Sequence, residues 1–279
     1  MWTFFQNVLP LHFLTRCAGF LAHYPRLPGL SFLIRQFIRF YQVNMHEAQK
    51  ENPDDYDTFN EFFSRSLKEN VRPLGNSNLI LPSDGKISQF GKINQNDLIQ
   101  AKGFSYSLDS LLADHHWAEQ FKNGEYLTIY LSPKDYHRVH MPLDGQLKKM
   151  MHIHGTLYSV NQKTVENIPD IFSKNERLIC YFQNEKTPFL MVLVGATIVG
   201  SIFTQWHGVV APPRTGYVRN WDYQNQNIVL NKGDEMGGFL MGSTVILIFP
   251  QNKIQFSPNI QLNQNCKMGE NLADFISIK

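Results

Sequence analysis

From Leu79 onward the apolar residues come in short runs cut by Gly, Pro and Asn: LILPSDGKISQFGKI, YLTIYL, RLICYF, FLMVLVGATIVGSIF, NIVL and STVILIF. Runs bounded in this way predict a mostly antiparallel β core. The chain before them has a different period. Ile34, Phe37, Ile38 and Tyr41 fall at helical spacing with Arg35 and Arg39 alongside. Pro25, Pro28 and Gly29 split this aromatic-rich stretch into two helical pieces. Residues 47–60 (EAQKENPDDYDTFN) are polar and acidic, a connector. Asp57 or Thr58 then caps a short helix, FNEFFSRSLK, that Arg72-Pro73 ends. One more helix is expected over 109–120. The pattern predicts an α+β fold, mainly antiparallel β, with N-terminal amphipathic helices, and nothing forces a domain boundary after residue 60.

Composition narrows the class. The 279 residues are 43% hydrophobic and 18% charged, which describes an ordered globular chain. A net charge of +2 without a Lys/Arg stripe argues against a nucleic-acid partner. Cys17, Cys180 and Cys266 show no metal-ligand spacing and suggest a reducing compartment without a disulfide framework. The small total hides an asymmetry: residues 1–46 hold no Asp or Glu, while Arg16, Arg26, Arg35 and Arg39 make that stretch +4. No uncharged apolar run there reaches the roughly 18–20 residues of a spanning helix. The segment 1–46 therefore reads as amphipathic helices lying on an anionic membrane face, ahead of a catalytic region 47–279. Packing of the same helices on the protein's own core is the alternative.

Four places carry possible chemistry. Pro82-Ser83-Asp84-Gly85-Lys86 is a turn between strand-like runs. In Tyr136-His137-Arg138-Val139-His140, Ser132-Pro133 just upstream predicts one helical turn that presents both imidazoles to one site. His152-Ile153-His154 on a strand would point both rings to one face. Last, Gly242-Ser243-Thr244 puts a hydroxyl one residue downstream of an unhindered glycine carbonyl, the geometry for a chain to attack its own backbone. The same tripeptide also serves as an ordinary entry into a strand. Three readings stand beside one another: His140 as base for Ser243 with Asp84 orienting it; His137, His140, His152, His154 and Asp84 as a hydrolase metal site; and a lipid-surface binding module whose histidines are structural.

The segments FNEFFSRSLK with RPL, LPSDGKI, YLSPKDYHRVHMP, GTLYSVN, NERLICYF, VGATIVGSI and GDEMGGFLMGSTVI, in this order over about residues 58–249, resemble bacterial phosphatidylserine decarboxylase, the pyruvoyl-dependent membrane enzyme. Met241 stands where that family more often has Leu. The resemblance implies cleavage between Gly242 and Ser243 into fragments 1–242 and 243–279 that stay associated, with Ser243 converted to the pyruvoyl group. It implies Asp84, His140 and Ser243 as the self-cleavage triad, His137 as the decarboxylation residue, and no metal. The pyruvoyl ketone would form a Schiff base with phosphatidylserine and accept the electrons released with CO₂, giving phosphatidylethanolamine. Phosphatidylserine and an anionic membrane surface are the expected partners, with a homodimer left open and the cytoplasmic face of the cell membrane as the expected location. Lys86, Arg138, Arg214 and Arg219 are anion partners by charge alone.

Overall fold

A computed structural model describes residues 19–101, 103–196, 201–212, 216–240 and 243–276, with the backbone alone at Ser243. All residues before Gly19, Arg16 and Cys17 among them, together with Arg214, Met241 and Gly242, lie outside the described residues.

The apolar runs become strands. Residues 79–80, 85–92, 125–131, 177–183, 188–194, 229–230 and 243–249 are β1 (Leu79–Ile80), β2 (Gly85–Lys92), β5 (Glu125–Leu131), β8 (Arg177–Gln183), β9 (Pro188–Val194), β13 (Val229–Leu230) and β15 (Ser243–Phe249). Between them run β3 (Asp97–Ala101), β4 (Phe104–Ser107), β6 (Arg138–His140), β7 (Gly145–Ile153), β10 (Ile202–Thr204), β11 (Gly208–Ala211), β12 (Arg219–Asp222) and β14 (Glu235–Phe239). The chain finishes with β16 (Ile254–Phe256), β17 (Asn265–Cys266) and β18 (Asn271–Phe275). A nine-stranded sheet in the order β12-β7-β8-β9-β15-β5-β2-β17, with β13 also on β7, forms the centre. A four-stranded sheet, β11-β10-β14-β6, and a three-stranded one, β1-β18-β16, accompany it.

Strand alternation explains why the central runs are almost wholly apolar. Leu127, Ile129, Val245, Leu247, Met191 and Leu193 face one core, shared with Val139, Met236, Phe239 and Leu272 of the smaller sheets. Ile246, Ile248, Leu190 and Val192 face a second core. That second core is covered by the β3–β4 hairpin and by the helices α3 (Leu108–Leu112), α4 (His115–Phe121) and α6 (Ile171–Lys174), with α5 (Gln162–Val165) close by. Both faces of β5, β9 and β15 are therefore buried, as a three-layer arrangement requires.

Two expected helices come out differently. The one expected over 109–120 is two, α3 and α4, because Ala113 turns left-handed (φ 50°) and Asp114 starts a new helix by accepting the Trp117 N–H at 3.0 Å. FNEFFSRSLK is helical only over α2 (Phe59–Phe63), capped by the Thr58 hydroxyl on the Glu61 N–H at 3.0 Å. It stops well before Arg72-Pro73, where Arg65 turns inward to the Lys134 carbonyl. The N-terminal arm is helical over 19–23 and again in α1 (Leu30–Tyr41), on either side of Pro25 and Pro28. Ile34 is fully buried, and the Phe37 ring packs edge-on to Phe59, Phe62 and Phe63, joining α1 to α2. The other side of α1 leaves Phe32 67% and Phe40 79% exposed. Core packing and an outward apolar face thus coexist on one helix.

Candidate active site

The site forms where β15 begins. Ser243 pairs with Leu131, the last residue of β5, and the chain then turns through 132–137 into β6. Asp135 closes that turn: its carboxylate accepts the Ser132 N–H at 2.7 Å and hydroxyl at 2.6 Å. At the other end, the last residue of β14 donates its N–H to the His137 carbonyl at 3.0 Å. Phe239 is thus held at His137 and Ser243 at Leu131, the two ends of the same 131–137 stretch, so His137 and the head of β15 share one corner.

His137 and His140 are not on one helical turn. The turn ends at Asp135, and Arg138–His140 extends as a strand paired with β14, which needs the edge that a helical turn would deny it. His137 is fully buried with its ring 4.2 Å from that of Phe63. Its Nδ1 lies 2.8 Å from the Asp135 carbonyl, which can only accept, so Nδ1 carries the hydrogen and Nε2 is an acceptor. Nε2 is buried and has no partner among the described residues. Burial pushes this imidazole down to about 3, against the Asp135 hydrogen bond and with help from the Arg65 charge.

His140 donates from Nδ1 to the Gly233 carbonyl at 2.8 Å, and its Nε2 accepts the Tyr136 hydroxyl at 3.0 Å. Burial lowers its pKa too, in opposition to the Gly233 bond. Its backbone N–H reaches the Pro82 carbonyl at 2.8 Å, which places Asp84 two residues along the same loop. Asp84 and His140 nevertheless share no hydrogen bond. The Asp84 carboxylate accepts Arg72 Nε at 2.9 Å and Nη2 at 2.6 Å, Lys267 Nζ at 3.0 Å and the Met268 N–H at 2.9 Å. Burial opposes its ionisation, but the Arg72 hydrogen bonds and the Arg72 and Lys267 charges outweigh it, so the carboxyl sits below its ordinary range. Arg72 also bridges to Glu47 Oε2 at 2.5 Å.

A cavity of about 180 Å³ opens beside these groups, lined by Arg65, Arg72, Asp84, Asp135, Tyr136 and Lys267 among others. A second, of about 280 Å³, lies beyond β2, β5 and β15 and touches Lys86, Tyr130 and Thr244. Three of the remaining sequence candidates, His152, Arg138 and Arg219, have partners elsewhere. His152 donates to the buried Glu176 at 3.1 Å and accepts from the partly buried Arg219 at 3.1 Å. Arg138 holds the Ser64 carbonyl and Glu235. Among the described residues no group of three or more His, Cys, Asp or Glu is placed to hold a metal ion. Sequence reading missed Arg65, Arg72 and Tyr136. A lone arginine inside FFSR and another before Pro73 were the available signals, since an arginine amid aromatic residues must find a buried partner.

Fold and site define a β-rich scaffold of the enzyme type, with buried histidines and an ion pair gathered at the head of a central strand. A family model described as phosphatidylserine decarboxylase matches residues 59–274, and one described as PSD matches residues 1–42. The phosphatidylserine decarboxylase proenzyme of Haemophilus ducreyi is 49% identical over 277 residues, covering 97% of this chain and 93% of the relative. The proenzymes of Polaromonas sp. and Dechloromonas aromatica are each 48% identical, over 97% and 96% of this chain and 96% and 95% of their own. The chain belongs to the phosphatidylserine decarboxylase family.

Proposed function

We propose that the chain is a precursor that cuts itself before Ser243 and, once cut, decarboxylates phosphatidylserine to phosphatidylethanolamine at a membrane surface. Family membership over nearly the whole chain supports the reaction. The observation that carries the site is the corner at which Ser243 begins β15 opposite Leu131, with His137 and His140 on the segment that follows Leu131.

The residues present fit a pyruvoyl group made from Ser243, because a buried acceptor without a partner, His137 Nε2, is the kind of atom that a polar reacting group satisfies. Such a group supplies an electron-withdrawing carbonyl for an amine substrate, the chemistry that lets a carboxylate depart as CO₂. Self-cleavage calls for a base on the Ser243 hydroxyl. His140 Nε2 is that base in this reading, and it becomes available when the Tyr136 hydroxyl swings away. Asp84 fixes the charge of the loop that carries the His140 backbone contact. In the decarboxylation, His137 Nε2, which is unprotonated at rest, would take a proton from the substrate's ammonium group as that amine is freed to react, and would return it to the substrate's α-carbon. Burial makes the charged ring a strong acid, which suits protonation of carbon.

Among the described residues no helix is long and apolar enough to cross a membrane. Phe20, Leu21, Phe32, Leu33 and Phe40 are exposed on the N-terminal arm and would enter the interface of an anionic bilayer, on the cytoplasmic face in this reading. The region 47–279 would be the catalytic unit, working as associated fragments and without a need for metal. Intact mass under denaturing conditions tests the proposal. Two species split between 242 and 243, with the small one lighter than its sequence by one ammonia, are expected; active protein of a single uncut mass would overturn it.

A further inference from the structure

Among the described residues that line the cavity, Arg65 is a buried side chain whose charge is left without an ion pair. It is 4% exposed, and its only hydrogen bond among the described residues runs from Nη2 to the Lys134 carbonyl at 3.0 Å. Nε and Nη1 are buried without a partner among the described residues. The Phe62 ring lies 5.7 Å from the guanidinium carbon. A buried guanidinium with unused donors is costly unless something anionic completes it. The nearby carboxylates are already taken: Glu47 and Asp84 by Arg72, Asp84 also by Lys267, and Asp135 by Ser132. None of them pairs with Arg65, although it lines the same cavity of about 180 Å³.

The cavity's position says which anion fits. Gln42 and Asn44 form part of its wall, so it opens where α1 ends, beneath the helix whose Phe32 and Phe40 project outward. Asp135 and Tyr136 form the wall nearest His137, and the Arg65 charge reaches that ring. An anion that enters from the α1 side and stops at Arg65 would lie between the bilayer and the buried imidazole. In phosphatidylserine the phosphorus is three covalent bonds from the α-carbon, so a phosphate held here leaves the serine moiety at the His137 corner. A carboxylate held by Arg65 would instead be stabilised against leaving.

Resting on the function proposed above, we propose that Arg65 binds the phosphodiester of the phospholipid headgroup, in the cavity between the end of α1 and the 132–137 turn. Lys86, in the other cavity, does not take this part.

The test uses the full chain carrying Ser243→Ala, which removes the cut, with calorimetry of dihexanoyl phosphatidylethanolamine. Arg65→Gln should weaken binding roughly 10- to 100-fold, the loss of charge-assisted hydrogen bonds to a buried anion. Lys86→Gln should leave it unchanged, and dihexanoylglycerol, which lacks the phosphate, should show no dependence on residue 65. Equal affinity with and without Arg65, or a loss confined to Lys86→Gln, overturns the assignment. Inorganic phosphate that binds as tightly as the lipid would make this a free-anion site and overturn the headgroup part. If Arg65→Gln does not fold, the Arg65 Nε–H resonance, identified by its absence in Arg65→Lys, should shift when the lipid is added to the Ser243→Ala chain. A resonance that does not move is equally fatal. Should the unmutated chain release no CO₂ from phosphatidylserine, the proposed function fails, and the calorimetry on the uncut chain still decides whether Arg65 holds a phosphodiester.

Discussion

Replacing His137 with asparagine, in a chain kept uncut by Ser243→Ala, should change how stability depends on pH. In the native fold the ring is fully buried against Phe63, and burial pushes its pKa down to about 3. In the unfolded chain it titrates near ~6.5. Between these values the unfolded state holds a proton that the folded state refuses, so acid favours unfolding across that interval. The stability is complete above the unfolded value and erodes as pH falls towards the folded one. At about 1.4 kcal/mol per pH unit, acidification from about pH 7.5 to about pH 5 removes about 2 kcal/mol through this ring alone. An asparagine cannot titrate, so that share disappears, while His140 and the other groups act in both chains and cancel. Urea unfolding followed by tryptophan fluorescence at the two pH values reads the difference. The variant starts less stable, having lost the packing on Phe63, yet should lose about 2 kcal/mol less on acidification. Losses that run parallel to within about 0.5 kcal/mol would refute the argument, because the ring would then be titrating as if solvated.

Three further outcomes are expected. Arg72→Gln leaves the buried Asp84 without its main charge partner and should cost about 3–5 kcal/mol at neutral pH, measured by urea unfolding. Because the Asp84 pKa is depressed, the native chain's advantage exists above the unfolded carboxylate value and should shrink as pH falls below about 4. Gly85 has φ 156°, and a Cβ there would lie 2.5 Å from the Tyr130 carbonyl oxygen, so Gly85→Ala should cost more than about 1 kcal/mol and slow cutting on a denaturing gel. Phe32→Ser with Phe40→Ser should weaken sedimentation with anionic vesicles by up to about 1.5–3 kcal/mol per ring while sparing turnover of a soluble short-chain substrate. Unchanged sedimentation would remove α1 from the membrane contact.

The β core was legible because each central strand is buried on both faces, so each appears as an apolar run bounded by turn residues. Helix ends were less so. Nothing local announces that Ala113 turns left-handed, or that α2 stops so that Arg65 can reach Lys134, a contact across 69 positions of sequence. The tight spacing of His137 and His140 suggested a helical turn, but the edge of β14 recruits that segment as a strand, a tertiary demand that outweighs the Ser132-Pro133 signal. The residues Asp84, His137 and His140 were readable as a group, and the structure puts all three in one buried neighbourhood. Their hydrogen-bond partners were not readable, because Arg72, Lys267, Gly233 and Tyr136 arrive from distant parts of the chain.

Along β15, Ser243–Phe249 is paired with β5 on one edge and Thr244–Ile248 with β9 on the other. Downstream, β16 and β18 pair with each other, β18 also with β1, and β17 with β2. A break just before Ser243 therefore severs a covalent link whose mechanical role is already duplicated by two neighbouring strands. Under the proposed cut, that peptide bond would be free to serve as a reagent because the pairing of β15 on both edges leaves it redundant as a tether.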